Sequence, residues 1–238
     1  MEQNDGHARV GVDPKQLEQP PWSALTTTHS SFALGNDLAR RYPPDMAPMA
    51  AVREVSAACL EALTALMKPG DVVGLFGTQP VSASRNLDVV AHKIVEQMVY
   101  GRDEAASIFG EFVHLSPADV AEMMLLAELT KPGPFSARTI LLGSYIGIRS
   151  AGRLVAMAGE RMKFDGFTEI SAVCTHPDHR DRGYASLLVA ALTRNILQRG
   201  ETPFLHVYND NTSAAALYNG LGFAHRRSLT VTVLRRNQ

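Results

Sequence analysis

The stretch EISAVCTHPDHRDRGYASLLVAAL, Glu169 to Leu192, constrains this chain more than any other. A β-like run breaks into a polar turn carrying two arginines, and the turn opens an apolar-periodic helix. The run TPFLHVY follows. Strand, helix and strand at this spacing predict one right-handed β-α-β crossover. At the helix mouth Arg180, Gly183 and Ala185 stand as R-x-x-G-x-A. The first N–H groups of a helix have no internal partner, and the helix dipole puts roughly half a positive charge there. Gly183 lets the backbone approach a ligand, and the small Ala185 keeps the first turn open. Arg180 and Arg182 add fixed charge. Such a turn suits a phosphate or pyrophosphate. Neither G-x-G-x-x-G nor G-x-x-x-x-G-K-[ST] occurs, so dinucleotide and P-loop readings lack support.

Around this unit the pattern reads as a mixed α/β chain. Residues 1–20 are polar, end in Pro20 and Pro21, and read as a flexible tail. The segment from Trp22 looks helical, with Ser23 as a possible cap. SAACLEALTALMKPG is an amphipathic helix that Ser56 can cap and Pro69-Gly70 stops. DVVGLFG and LDVVAHKIVEQMVYG read as strands. GRDEAASIFG has no clear period, and a domain boundary is placed there, dividing 21–107 from 108–238. Beyond it come strand EFVHL, a helix begun by Ser116 and Pro117, a short helix near SARTILLGS, and a hairpin, YIGIRS and RLVAMAGERMKF, turned by SAG. After the crossover, NTSAAALYNGL is a helix and SLTVTVLRR a last strand. Short links between most of these strands predict a largely antiparallel sheet.

Several function classes are excluded early. The net charge is −1, and basic and aromatic residues do not interleave, so nucleic acid is not an expected partner. No run approaches ~20 apolar residues, so no membrane span is expected. The opening MEQNDGHARV lacks an apolar core like that of a secretory signal. The two cysteines, Cys59 and Cys174, lie in apolar-periodic stretches and read as buried thiols in a reducing compartment. A cytoplasmic protein, monomeric or homodimeric, is expected. The histidines are scattered without ligand spacing, so no metal is expected.

A second motif lies downstream. Residues 211–223, NTSAAALYNGLGF, read N-x-x-A-x-x-L-Y-x-x-L-G-F. With R-x-x-G-x-A before it, this resembles the GNAT superfamily of acyl-CoA-dependent N-acyltransferases, over roughly residues 111–236. The resemblance implies an α+β (α/β) fold: a mixed, mostly antiparallel sheet flanked by helices, two of whose strands splay to admit acyl-CoA. It implies that Arg180 and the turn of Asp181, Arg182, Gly183, Tyr184, Ala185 and Ser186 hold the CoA pyrophosphate. Ala172, Val173 and Cys174 would pair with the pantetheine arm, and Asn211 would contact it.

The implied chemistry is attack of an amine on the thioester of acetyl-CoA. Amines are mostly protonated at neutral pH, lysine titrating near ~10.4, so a base helps. Glu169, eleven positions before Arg180, is the candidate, with Glu160 as its rival. Tyr218 is the candidate acid for the leaving thiolate. Two alternatives stay open: an amino-acid N-acyltransferase using a longer acyl-CoA, and a non-catalytic acyl-CoA sensor. The smaller N-terminal α/β half lacks R-x-x-G-x-A. It reads either as a degenerate GNAT-like half, as in glycine N-acyltransferase-like tandem proteins, or as an independent module. In the first case it would wall the acceptor pocket or stand in for a dimer partner.

Overall fold

The computed structural model describes residues 13–107 and 109–238. Short strands β1 (Leu34–Gly35) and β2 (Ala39–Arg41) follow helix α1 (Pro20–Thr26). They precede β3 (Met49–Val52), α2 (Ala57–Ala65), β4 (Val72–Gly77) and β5 (Leu87–Tyr100). The second half runs β6 (Val113–His114), α3 (Val120–Thr130), β7 (Tyr145–Ser150), β8 (Arg153–Phe164), β9 (Phe167–Thr175), α4 (Tyr184–Gln198), β10 (Thr202–Tyr208), α5 (Thr212–Leu221) and β11 (Phe223–Arg236). Local chemistry explains the ends. The Ser56 hydroxyl accepts from the Cys59 N–H at the start of α2. Before α3, Asp119 reaches back to the Ser116 N–H at 2.8 Å, a capping box. Gly222, at φ 107°, closes α5.

Among the described residues, the eleven strands form one sheet, in the order β1-β2-β3-β4-β11-β5-β10-β9-β8-β7-β6. Pairing is antiparallel except at β3–β4 and β9–β10. The α4 crossover joins β9 to β10, as the spacing predicts. These two strands stay paired only from Phe167 to Glu169 against Thr202 to Phe204. Beyond that point β10 bonds only to β5, through Phe204–Tyr208, and β9 only to β8, so the two part and leave a cleft. Within β9 the register slips between the pairs Ser171–Gly159 and Cys174–Met157. Ala172 there adopts φ 53°, left-handed backbone that is uncommon for alanine. The result is a β-bulge on the cleft wall.

The link after β5 at 101–112 does not separate the sheet. β5, from the first half, lies between β10 and β11 of the second, and β11 also pairs with β4. Strands from both sides of the expected boundary near residue 108 thus share one sheet. Of the expected tail, residues 1–12 lie outside the described residues. Pro14–Glu18 is a 3-10 turn with Leu17 buried. Ser23 lies inside α1 rather than at its start, bonded to the Gln16 carbonyl. Among the described residues no helix is long and apolar enough to cross a membrane.

Apolar side chains pack on both faces of the sheet. Leu188, Leu192 and Ile196 of α4 meet Val155, Ile170, Leu205 and Val207 on one face. Leu17, Leu25 and Met46 meet Phe164, Phe167 and Phe204 in a second cluster. On β4 and β11, Val73, Leu75 and Leu234 pack with Leu60 and Leu63 of α2. The alternate residues of those strands, Gly74, Phe76, Val231 and Val233, face the cleft instead.

Candidate active site

The cleft between β9 and β10 has a volume of about 720 Å³, within the range of small-molecule sites. Its first end is the turn into α4. Arg180 is extended, while Asp181 at φ 61° and Gly183 at φ 75° are both left-handed. A turn with left-handed residues at the head of a helix is the kind of backbone from which an anion nest can be built. A Cβ built on Gly183 meets no atom within 4 Å, so protein does not fill the space in front of it. His179 also lines the cleft, and its Nδ1 is buried without a hydrogen bond among the described residues. A phosphate oxygen is one partner that would satisfy it.

Most residues singled out in the sequence meet here. Arg180, Asp181, Gly183, Tyr184, Ala185 and Ser186 line the nest end, and Ala172, Val173 and Cys174 line the β9 wall. Asn211 lines the opposite wall, where its Oδ1 also accepts from the Ala214 N–H at 3.2 Å and starts α5. Arg182 does not line the cleft; its guanidinium leans to the Asp178 carbonyl at 3.5 Å. Tyr218 lines the cleft, and its hydroxyl makes no hydrogen bond among the described residues. Burial, with the nearby Cys174, pushes its pKa up to about 12. The phenol therefore stays protonated, as an acid must. Burial likewise pushes the Cys174 thiol up to about 11, which disfavours the thiolate needed for covalent catalysis.

Glu169 sits differently from the expectation. Its carboxylate is fully buried and does not itself line the cleft. Arg161 grips it with two bonds, Nε to Oε2 and Nη2 to Oε1, each 2.7 Å. His206 Nδ1 lies 2.7 Å from the same Oε1. Burial alone would raise the carboxyl pKa; Arg161 first and His206 second outweigh it and hold it at about 2. Arg161 and His206, not Glu169, are the members of this cluster at the cleft surface. Glu160, the rival base, is buried against Lys163 at 2.6 Å and Arg199, just beyond α4, at 2.9 Å. It does not line the cleft.

His206 has an assignable tautomer. Its Nε2 faces the Gln97 amide nitrogen at 3.1 Å. That amide is oriented by the Leu17 carbonyl, which its nitrogen meets at 2.9 Å, and by Arg226, which donates to its oxygen at 3.0 Å. The nitrogen can only donate, so His206 accepts at Nε2 and carries its proton on Nδ1, toward Glu169. Neither His206 nor Arg161 stands out in the sequence as a site residue. One signal exists: in TPFLHVY the even positions Phe204, His206 and Tyr208 share a strand face, and a histidine among them puts a proton-transfer group on that face.

The far end of the cleft is built by the first half of the chain. Met49, Gly74, Phe76, Lys93 and Val95 line it, together with the α3–β7 loop at Lys131 to Pro134.

Residues 145–232 match the family described as FR47-like protein. No curated protein sequence matches the chain. Among solved structures, a GNAT-family protein from Novosphingobium aromaticivorans DSM 12444 is 35% identical. It covers 93% of this chain, is itself covered over 99%, and superposes with a TM-score of 0.86. A GCN5-related N-acetyltransferase from Kribbella flavida shares the fold at 15% identity, with 97% of each chain covered and a TM-score of 0.62. A Drosophila protein aligns at 18% identity over 83% of this chain and 73% of its own, with a TM-score of 0.61. By its near-complete, 35% identical match, and with a sheet that splays between β9 and β10, this chain belongs to the GNAT family of acyl-CoA N-acyltransferases.

Proposed function

We propose that the protein transfers the acetyl group of acetyl-CoA to a primary amine by direct attack. The observation that carries this reading is one continuous cleft with an anion nest at one end and a free, protonated phenol in its wall. The nest receives the CoA phosphates, and Arg180 adds charge beside them. The pantetheine arm runs between β9 and β10, where the bulge at Ala172 leaves backbone groups outside the ladder.

The amine nitrogen attacks the thioester carbon and the C–S bond breaks. The departing sulfur takes the Tyr218 proton, which solvent later restores. The amine's excess proton goes to His206 at Nε2, which gives up its bond from Gln97 to accept it. Glu169 holds the ring through Nδ1–H and stabilises the imidazolium that forms. The base assigned to Glu169 is thereby a pair, with His206 as the member that reaches the substrate. The free buried thiols of Cys59 and Cys174 suit a reducing compartment, and the reading places the enzyme in the cytoplasm.

The test is thiol release from acetyl-CoA with amines, amino acids and peptides offered in turn, each product checked by mass for an added acetyl group. Release coupled to an N-acetylated product supports the reading. Tight CoA binding without acetylation of any amine would replace it with an acyl-CoA sensor.

A further inference from the structure

We infer that the acceptor is a free α-amino acid with an apolar side chain, its carboxylate bound by Arg161. This rests on the acyltransferase reading above. The charge of the cleft is the first ground. Its basic side chains are Lys93, Lys131, Arg161 and Arg180, and Asp181, in the nest turn, is its one acidic side chain among the described residues. Glu169, the carboxylate nearest the splay, is spent on Arg161 and His206. A polyamine or a lysine-rich peptide would find Asp181, in the nest turn, as its one acidic counter-charge among the described residues against four basic side chains, at a cost that desolvation enlarges.

The second ground is the unused donor. Arg161 binds Glu169 through Nε and Nη2, and its Nη1 makes no hydrogen bond among the described residues. The side chain is 13% exposed and lines the cleft. A guanidinium with one donating edge left free suits a carboxylate oxygen. The buried Tyr145 hydroxyl, in the same charge cluster, is likewise without a hydrogen bond among the described residues.

Position decides which cation takes the carboxylate. In an α-amino acid the carboxylate is two bonds from the amine nitrogen. Arg161 Nη2 and His206 Nδ1 share one oxygen, Glu169 Oε1. The guanidinium and the imidazole ring are therefore neighbours that meet at this oxygen through their Glu169-facing nitrogens, with Nη1 and the accepting Nε2 on their outer sides. An amine delivered to His206 brings its α-carboxylate to Arg161. Lys93 instead stands over the Tyr208 ring, 5.3 Å from its centre.

The third ground is the wall. Met49, Phe76, Val95, Val231 and Val233 present an apolar surface to the cleft, and Gly74 leaves it recessed, since a Cβ there would lie 3.1 Å from Val231 Cγ1. An apolar lining of this kind suits an apolar side chain of the substrate.

The experiment compares L-leucine and L-phenylalanine with their amides, with glycine and with spermidine, using acetyl-CoA and the wild-type protein. A charge-assisted bond contributes about 1.5–3 kcal/mol, so each acid should exceed its amide by about 10- to 100-fold in kcat/KM. Leucine should exceed glycine. Amides or spermidine turned over as well as the acids would overturn the carboxylate assignment. Glycine equal to leucine, with octanoyl-CoA preferred to acetyl-CoA, would overturn the apolar assignment and give the wall to the acyl chain. Arg161→Lys keeps a cation beside Glu169 and removes the fork. It should bring the acid-to-amide ratio near one, whereas a purely structural role would lower both rates alike and keep the ratio. If that variant fails to fold, the wild-type ratio decides alone. If wild type acetylates no amine at all, the acyltransferase reading fails. Calorimetry of leucine against leucinamide in the presence of CoA then tests the binding site by itself, and equal or absent binding would overturn it.

Discussion

Glu169→Gln removes the fully buried charge of the Arg161–Glu169 pair and keeps the side chain's shape. Arg161, 13% exposed, then loses its counter-ion. Breaking such a pair costs about 3–5 kcal/mol. The depressed carboxyl gives a similar figure. Its pKa falls from 4.5 to about 2 on folding, and at about 1.4 kcal/mol per unit this is of order 3 kcal/mol. The folded value lies below the unfolded one. The stabilisation is therefore complete above the unfolded pKa and is lost as pH falls through about 2. Urea unfolding at pH 7 should show the full difference between wild type and variant, and the gap should close progressively below pH ~4.5. Glu169→Gln/Arg161→Met, which replaces the ions with a neutral pair, should recover most of the stability. A single variant destabilised by less than about 1 kcal/mol would refute the buried pair. The same variant also tests the chemistry. Per folded molecule, kcat/KM should fall roughly 10²- to 10⁴-fold, because Gln cannot stabilise the imidazolium as a carboxylate does. A rate near wild type would remove the Glu169–His206 pair from proton transfer. An acid limb in the wild-type profile with an apparent pKa of 4–5 would contradict the depressed carboxyl.

Two further substitutions probe the other ends of the cleft. Gly183→Asp puts a side chain and a negative charge at a position with φ 75°, so acetyl-CoA affinity by calorimetry should drop at least tenfold; unchanged affinity would take the nest out of the site. Tyr218→Phe keeps the ring and removes a hydroxyl that makes no hydrogen bond among the described residues, so stability should hold while kcat falls about 10²-fold or more. Wild-type kcat in that variant would sink the general-acid role.

The turn at the head of α4 was legible in the sequence because its physics is local. A nest needs glycine at a left-handed position, a helix behind it and arginine beside it, and Arg180 to Ala185 contain all three. Helix signals at Ser56 and Ser116 are local in the same sense. The charge cluster is not. Glu169, Arg161, His206, Gln97 and Arg226 come from five strand segments, and no spacing links them. Glu169 was legible as a carboxylate near the site, but its two bonds to Arg161 depend on the register between β8 and β9, which bulges twice. The place of β5 was illegible for a like reason. Hydrophobic alternation marks a strand and its faces but not its neighbours, and β5 pairs with strands more than a hundred residues later.

That insertion of β5 joins the two halves of the chemistry. β10 carries His206 on the face toward the cleft, and past the splay its hydrogen bonds go only to β5. From the same strand, Gln97 fixes the ring's tautomer, while Val95 and Lys93 continue into the acceptor wall. The position of the proposed proton acceptor and the shape of the proposed acceptor wall are therefore both tied to one strand of the first half. A substitution that shifts β5 against β10 would move both together. On the proposed function, the shared strand accounts for a first half without an R-x-x-G-x-A of its own: it would contribute the wall and the orientation of His206, while the nest after Arg180 would serve the whole cleft.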